Sequence, residues 1–124
     1  MAVEVMIKRK VKQGHQAKQL VPLILQMRAL ATYQPGYISG KTLCNLKDPE
    51  ECLVISTWES VEDWDRWRHS WKRAEIEKKI ECLTREKTTY EIFSSMVAEQ
   101  EPGYVPSLKR PFPVSEKYSG SYSI

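Results

Sequence analysis

Three tryptophans, Trp64, Trp67 and Trp71, stand at i, i+3 and i+7 in the run WDRWRHSW. On a helix that spacing places them along one face, and a row of indoles can stack a flat aromatic molecule. The same stripe also serves core packing, the commoner use of tryptophan at helical spacing. His69 lies among them, and histidine alone has an unperturbed pKa near neutral, about 6.5, which suits a general base. Flanked by Arg68 and Ser70 at an expected helix break, it can equally be a surface or capping residue. Arg68 and Asn45 could orient a substrate oxygen, with a solvated face and a turn as their structural alternatives. His15, after Gly14 at a helix start, is a poorer base. The sequence has no carboxylate pair, nucleophile elbow, glycine-rich phosphate loop or metal-ligand cluster, so no metal is expected.

These residues need elements to hold them. Val3, Val5 and Ile7 alternate against Glu4, Met6 and Lys8, so residues 2–10 read as a strand with one apolar face. Ala17, Leu20, Val21, Ile24, Met27 and Ala31 recur at helical spacing up to the Gln34-Pro35-Gly36 breaker. Pro22 interrupts that pattern and predicts a kink near Lys18 or a helix whose regular part starts late. Residues 36–46 and 51–58 flank Lys47-Asp48-Pro49-Glu50 and predict a hairpin. Ser60 with Asp63, and then Ser70, read as helix caps, so the region up to Cys82 is one bent helix or two. Residues 86–95 read as a last strand. The order βαββαβ predicts an α+β, ferredoxin-like antiparallel sheet with its helices on one face.

At 124 residues, 41% of them apolar and 28% charged, the chain has the size and composition of one soluble globular domain. The longest apolar run, Leu20 to Leu25, is too short to span a membrane, and residues 1–10 lack a signal-peptide core. A cytoplasmic protein with no membrane partner is expected. The net charge of +3 is spread along the chain, and Lys8, Arg9, Lys10 and Lys12 read as a solvated strand end. Cys44, Cys52 and Cys82 lack CxxC spacing. A turn centred on 47–50 sets Cys44 opposite Leu53 and Asn45 opposite Cys52, which points the two thiols to opposite faces. Residues 1–96 form the predicted domain. Residues 97–124, with Pro102, Pro106, Pro111 and Pro113 among Tyr104, Phe112, Tyr118 and Tyr122, form a tail expected to pack in extended form.

Both faces of the 51–58 strand ask for burial, Leu53 and Ile55 on one and Cys52, Val54 and Trp58 on the other. Helices on one side leave the second face uncovered, and a two-fold copy is the simplest cover, so a homodimer is expected. RNA-recognition modules share the βαββαβ order but display aromatics on their central strands. The strand ECLVISTW is aliphatic apart from Trp58, so no nucleic-acid partner is expected.

With Gln34-Pro35-Gly36-Tyr37-Ile38-Ser39-Gly40, then Leu53-Val54-Ile55-Ser56-Thr57-Trp58, then Trp64-Asp65-Arg66-Trp67 in order, residues 2–95 resemble the antibiotic biosynthesis monooxygenase superfamily. The resemblance implies a dimeric α+β barrel. It also implies a cofactor-independent monooxygenase of a small aromatic or quinol-like compound, with Trp67 and His69 as catalytic residues and Trp64, Trp71, Asn45 and Arg68 around the substrate. The haem-degrading branch of the superfamily pairs an Asn, a Trp and a His. Here the Trp position falls on Trp67, the His position on Glu77 and the Asn position at or near Ile7. A carboxylate in place of the axial imidazole argues against haem, so no cofactor is expected. The alternative reading is a non-catalytic dimeric protein that binds a small hydrophobic ligand in the same fold.

Overall fold

The structure, a computed structural model, describes residues 1–95; the expected tail over 97–124 lies outside the described residues. Four strands, β1 (Val3–Lys10), β2 (Tyr37–Cys44), β3 (Glu51–Trp58) and β4 (Thr89–Ser94), form one sheet in the order β2-β3-β1-β4. Every neighbouring pair is antiparallel. Helix α1 (Val21–Ala31) joins β1 to β2, and α2 (Val61–Arg68) with α3 (Trp71–Glu81) joins β3 to β4. This is the predicted ferredoxin-like arrangement of two interleaved βαβ units.

Register sets which side chains share a face. Val3, Val5, Ile7 and Arg9 of β1 stand opposite Trp58, Ser56, Val54 and Cys52 of β3, and all eight are buried under the helices. Ile24, Met27 and Ala31 of α1 and Ile76 and Ile80 of α3 close over them. The periodicity that identified β1 therefore continues through Arg9. The solvated strand end expected there is corrected: Arg9 is only 2% exposed, because it occupies the inward parity of Val5 and Ile7.

Pro22 sits in the first turn of α1, where its missing N–H is not needed. A short 3-10 turn over Ala17–Leu20 precedes it, so the regular helix starts late. The tryptophan-rich region is two helices. Ser60 caps α2 by accepting from the Asp63 amide at 3.1 Å, and Ser70 caps α3 by accepting from the Arg73 amide at 3.3 Å. Gly36, at the start of β2, has φ +86°, and a Cβ there would fall 2.2 Å from Asp63 Oδ2. Only glycine meets both demands.

Two hairpin details depart from the sequence reading. Asn45 Oδ1 accepts from the amides of Lys47 and Asp48 at 2.8 and 3.1 Å, so the turn begins one residue early. Cys44 consequently pairs with Cys52 and Leu43 with Leu53, which puts the two thiols on the same face and corrects the expectation that they point apart. At the other end of β2 the pairing shifts between Tyr37 and Ser39. This bulge at Ile38 flips the alternation, so Tyr37 and Gly40 both face the helices.

The opposite sheet face carries half-buried Met6, Leu53 and Ile55, with Leu43 and Phe93 exposed at 42% and 50%. No helix among the described residues is long and apolar enough to cross a membrane.

Candidate functional site

A partly open cleft lies between the helical face of the sheet and the helices. Its floor is Ile7 of β1 with Val54, Ser56 and Trp58 of β3. One wall is Ile24, Met27 and Arg28 of α1, and the other is Trp64, Trp67 and Arg73. Arg9, Ala31, Tyr37 and Gly40 also line it. The cavity volume is about 40 Å³, smaller than an aromatic ring, so binding one requires lining side chains to move.

Aromatic packing fixes the rigid wall. Tyr37 meets Trp58 edge-on at 5.2 Å between centroids, Trp58 meets Trp64 at 6.0 Å, and Trp64 meets Tyr90 at 5.8 Å. The Trp58 indole N–H donates to Ser56 Oγ at 3.1 Å. Trp67 is buried beside them and lines the cleft.

Among the described residues, the charged groups lining the cleft are three arginines, with no lining carboxylate. Arg9 Nη2 donates to Glu77 Oε1 at 2.8 Å, and Thr88 Oγ donates to Glu77 Oε2 at 2.5 Å. Burial pushes the Glu77 carboxyl up, but the Arg9 charge and hydrogen bond, the Thr88 hydroxyl and the Arg73 charge outweigh it and hold the group below its ordinary value. Arg73 Nη1 donates to the Tyr90 hydroxyl at 3.1 Å, and its guanidinium lies 5.4 Å from the Trp64 ring and 5.3 Å from the Tyr90 ring. Arg28 Nη2 donates to Thr42 Oγ at 2.5 Å. Burial raises the Tyr37 phenol, partly offset by the Arg28 charge.

The residues singled out from the sequence divide between this cleft and the surface. Trp64 and Trp67 line the cleft. Trp71 does not: the break between α2 and α3 rotates it out of the expected stripe, and it is 67% exposed. His69 caps the end of α2 with its exposed ring bonded to the Asp65 carbonyl at 2.9 Å. Arg68 is exposed and stacks on Tyr90 at 4.2 Å, and Asn45 is exposed in the hairpin turn. None of these four lines the cleft. Arg9, Arg28, Arg73 and Tyr37 were not singled out. Arg9 was legible in the parity of β1, and Arg73 in its helical spacing from buried Ile76 and Ile80. Among the described residues no cluster of three or more His, Cys, Asp or Glu could hold a metal ion.

Comparison with solved structures returns this architecture. A conserved protein from Methanosarcina mazei matches with a TM-score of 0.67 at 19% identity, over 75% of this chain and 91% of its own. SnoaB, a cofactor-independent oxygenase from Streptomyces nogalater, matches at 0.68 with 13% identity, over 81% and 98%. Rv0793 from Mycobacterium tuberculosis matches at 0.67 with 13% identity, over 78% and 97%. At these identities the likeness carries the fold alone. A search of curated proteins gave no match. The family profile described as antibiotic biosynthesis monooxygenase matches residues 2–79, more than half of the sequence, and the chain belongs to that family.

Proposed function

We propose that this protein is a cytoplasmic, homodimeric, cofactor-independent monooxygenase that acts on a small aromatic or quinol-like compound in the cleft beside Trp67. The observation that carries the reading is the lining itself, a buried tryptophan wall set against arginines, with no lining carboxylate among the described residues. An electron-rich phenolate or enolate can itself reduce dioxygen, so such a reaction asks the protein for a dry cavity and for stabilisation of the substrate anion. Trp67 and Trp64 offer flat surfaces against which a ring can lie. Arg73 and Arg9 lower the pKa of a phenol bound near them, because a nearby cation favours the anion. They thereby take over part of the work of a base, a role for which His69 stands too far out on the surface, and the proton leaves to water at the open side. The apolar sheet face with Leu53, Ile55 and Phe93, over which no helix among the described residues packs, supports the dimer.

The test is oxygen uptake with a panel of hydroquinones and anthrone, run beside Trp67→Phe and Trp67→Ala proteins checked for folding. The reading expects uptake above the uncatalysed rate, lost in Trp67→Ala and partly kept in Trp67→Phe. No uptake with any compound from a folded dimer would favour a non-catalytic ligand-binding protein.

A further inference from the structure

Among the described residues, four buried nitrogen atoms have no hydrogen-bond partner: Arg9 Nε, Arg73 Nε, Arg73 Nη2 and Trp64 Nε1. All belong to residues that line the cleft. Such donors cost roughly 1–3 kcal/mol each when unpaired, and more when charged, so three residues that carry them around one cleft call for an explanation.

Their arrangement specifies that occupant. Nε and Nη2 form one edge of the Arg73 guanidinium, and their two N–H bonds run nearly parallel, the edge that takes both oxygens of a carboxylate. The remaining nitrogen, Nη1, is spent on the Tyr90 hydroxyl at 3.1 Å. Glu77 does not satisfy the edge. Its Oε1 stands 3.8 Å from Arg73 Nη2, too long for a hydrogen bond, and already accepts from Arg9. Charge gives the same answer. Arg9 and Arg73 are 2% and 3% exposed and share one buried carboxylate, Glu77. Among the described residues the pair therefore carries one positive charge more than the carboxylate it shares, and an anionic ligand would balance it.

We infer that the cleft recognises an aromatic carboxylate, whose two oxygens take the Nε and Nη2 edge of Arg73 while its ring lies against the tryptophan wall. The inference rests on reading the cleft as the substrate site, and it narrows the substrate to a quinol or phenol that carries a carboxylate. A neutral quinol offers one oxygen at a time and leaves the guanidinium edge half filled. Trp64 Nε1 and Arg9 Nε are additional donors for the ring hydroxyls or for water.

The probes are 2,5-dihydroxybenzoate, its methyl ester and unsubstituted hydroquinone, titrated into the full chain by calorimetry or tryptophan fluorescence. The acid should bind at least about tenfold more tightly than the ester, the scale of one charge-assisted hydrogen-bonded contact, and added salt should weaken the acid alone. Arg73→Lys keeps the charge but lacks the planar edge, so it should lose most of the preference, and Arg73→Met all of it. Should neither variant fold, the comparison of acid with ester in the unaltered protein decides. Equal binding of acid and ester, no saturable binding of the acid, or a preference untouched in folded Arg73→Lys and Arg73→Met would each overturn the inference. Oxygen uptake separates it from the functional reading. Acid-selective binding without uptake keeps the carboxylate site and removes the oxygenase, whereas equal uptake with ester and acid keeps the oxygenase and removes the carboxylate site.

Discussion

Arg9 on β1 and Glu77 on α3 meet inside the domain with Nη2 and Oε1 2.8 Å apart. Glu77 stands at the position where the resemblance to the haem-degrading branch would place a histidine. Both of its oxygens accept hydrogen bonds from protein donors, so the carboxylate is held as a buried ion-pair partner and does not stand free as a ligand. It joins the sheet to α3 and offsets part of the positive charge beside the cleft.

Removing that carboxylate strands two buried guanidinium groups. Glu77→Gln should destabilise the protein by about 3–5 kcal/mol, the usual cost of breaking a buried pair from one side, measured by urea unfolding at pH 7. Because the folded-state pKa of Glu77 lies below its ordinary 4.5, the stabilisation is fully present above that value and is lost as pH falls through the folded pKa. The gap between wild type and variant should therefore shrink below pH 4.5. A gap that stays constant into that range would show that the ion pair is not its source.

Gly40 admits the Tyr37 hydroxyl and the Arg28 guanidinium to the cleft. A Cβ there would lie 2.7 Å from Tyr37 Oη and 3.2 Å from Arg28 Nε. Gly40→Ala should cost about 1–3 kcal/mol through overpacking and weaken the binding of 2,5-dihydroxybenzoate, as read by denaturation and titration. Unchanged stability together with unchanged binding would mean that both side chains have other places to go.

Cys44 and Cys52 pair across β2 and β3, and the neighbouring Asn45 amide donates to the Glu51 carbonyl at 3.2 Å. The cysteines therefore form a non-hydrogen-bonded pair, with Cα atoms about 4.5 Å apart, at the short end of disulfide reach. Cys44 is exposed and Cys52 is buried. Burial raises the Cys52 thiol despite the charge of Arg9, so Cys44 should react first. Diamide should draw two electrons and two protons from the pair and close a disulfide within one chain, seen in peptide maps as a 44–52 link. A link through Cys82, or none, would contradict this.

The sheet face that no described helix covers is the proposed dimer surface. The wild type is expected to sediment as a dimer and Ile55→Lys as a monomer at the same concentration, since burying an apolar side chain of this size is worth about 1.5–3 kcal/mol and the new charge resists burial. A folded variant that remains dimeric would place the interface elsewhere.

The strands, their order and both serine caps were legible because each is written locally, in period-two alternation, in a turn signal or in a serine three residues before an amide it can satisfy. What was illegible depended on offsets of a single residue. The helix break after Arg68 turned Trp71 outward, the early turn at Asn45 brought Cys44 opposite Cys52, and the bulge at Ile38 set Tyr37 and Gly40 on one face. The cationic lining was hidden differently. Arg9 was read as part of a charged run when its parity already marked it as inward, and Arg73 gained meaning only when the fold brought it beside Trp64, Tyr90 and Glu77.

The most direct test of the proposed activity is incorporation of isotopically labelled dioxygen by the full chain into anthrone and, in parallel, into an anthrone that carries a carboxylate, with Trp67→Ala as the control. One labelled oxygen atom per product molecule, formed faster than in buffer and lost in the folded variant, is the predicted result. Product formed no faster than in buffer, or equally well with Trp67→Ala, would contradict an oxygenase acting in this cleft.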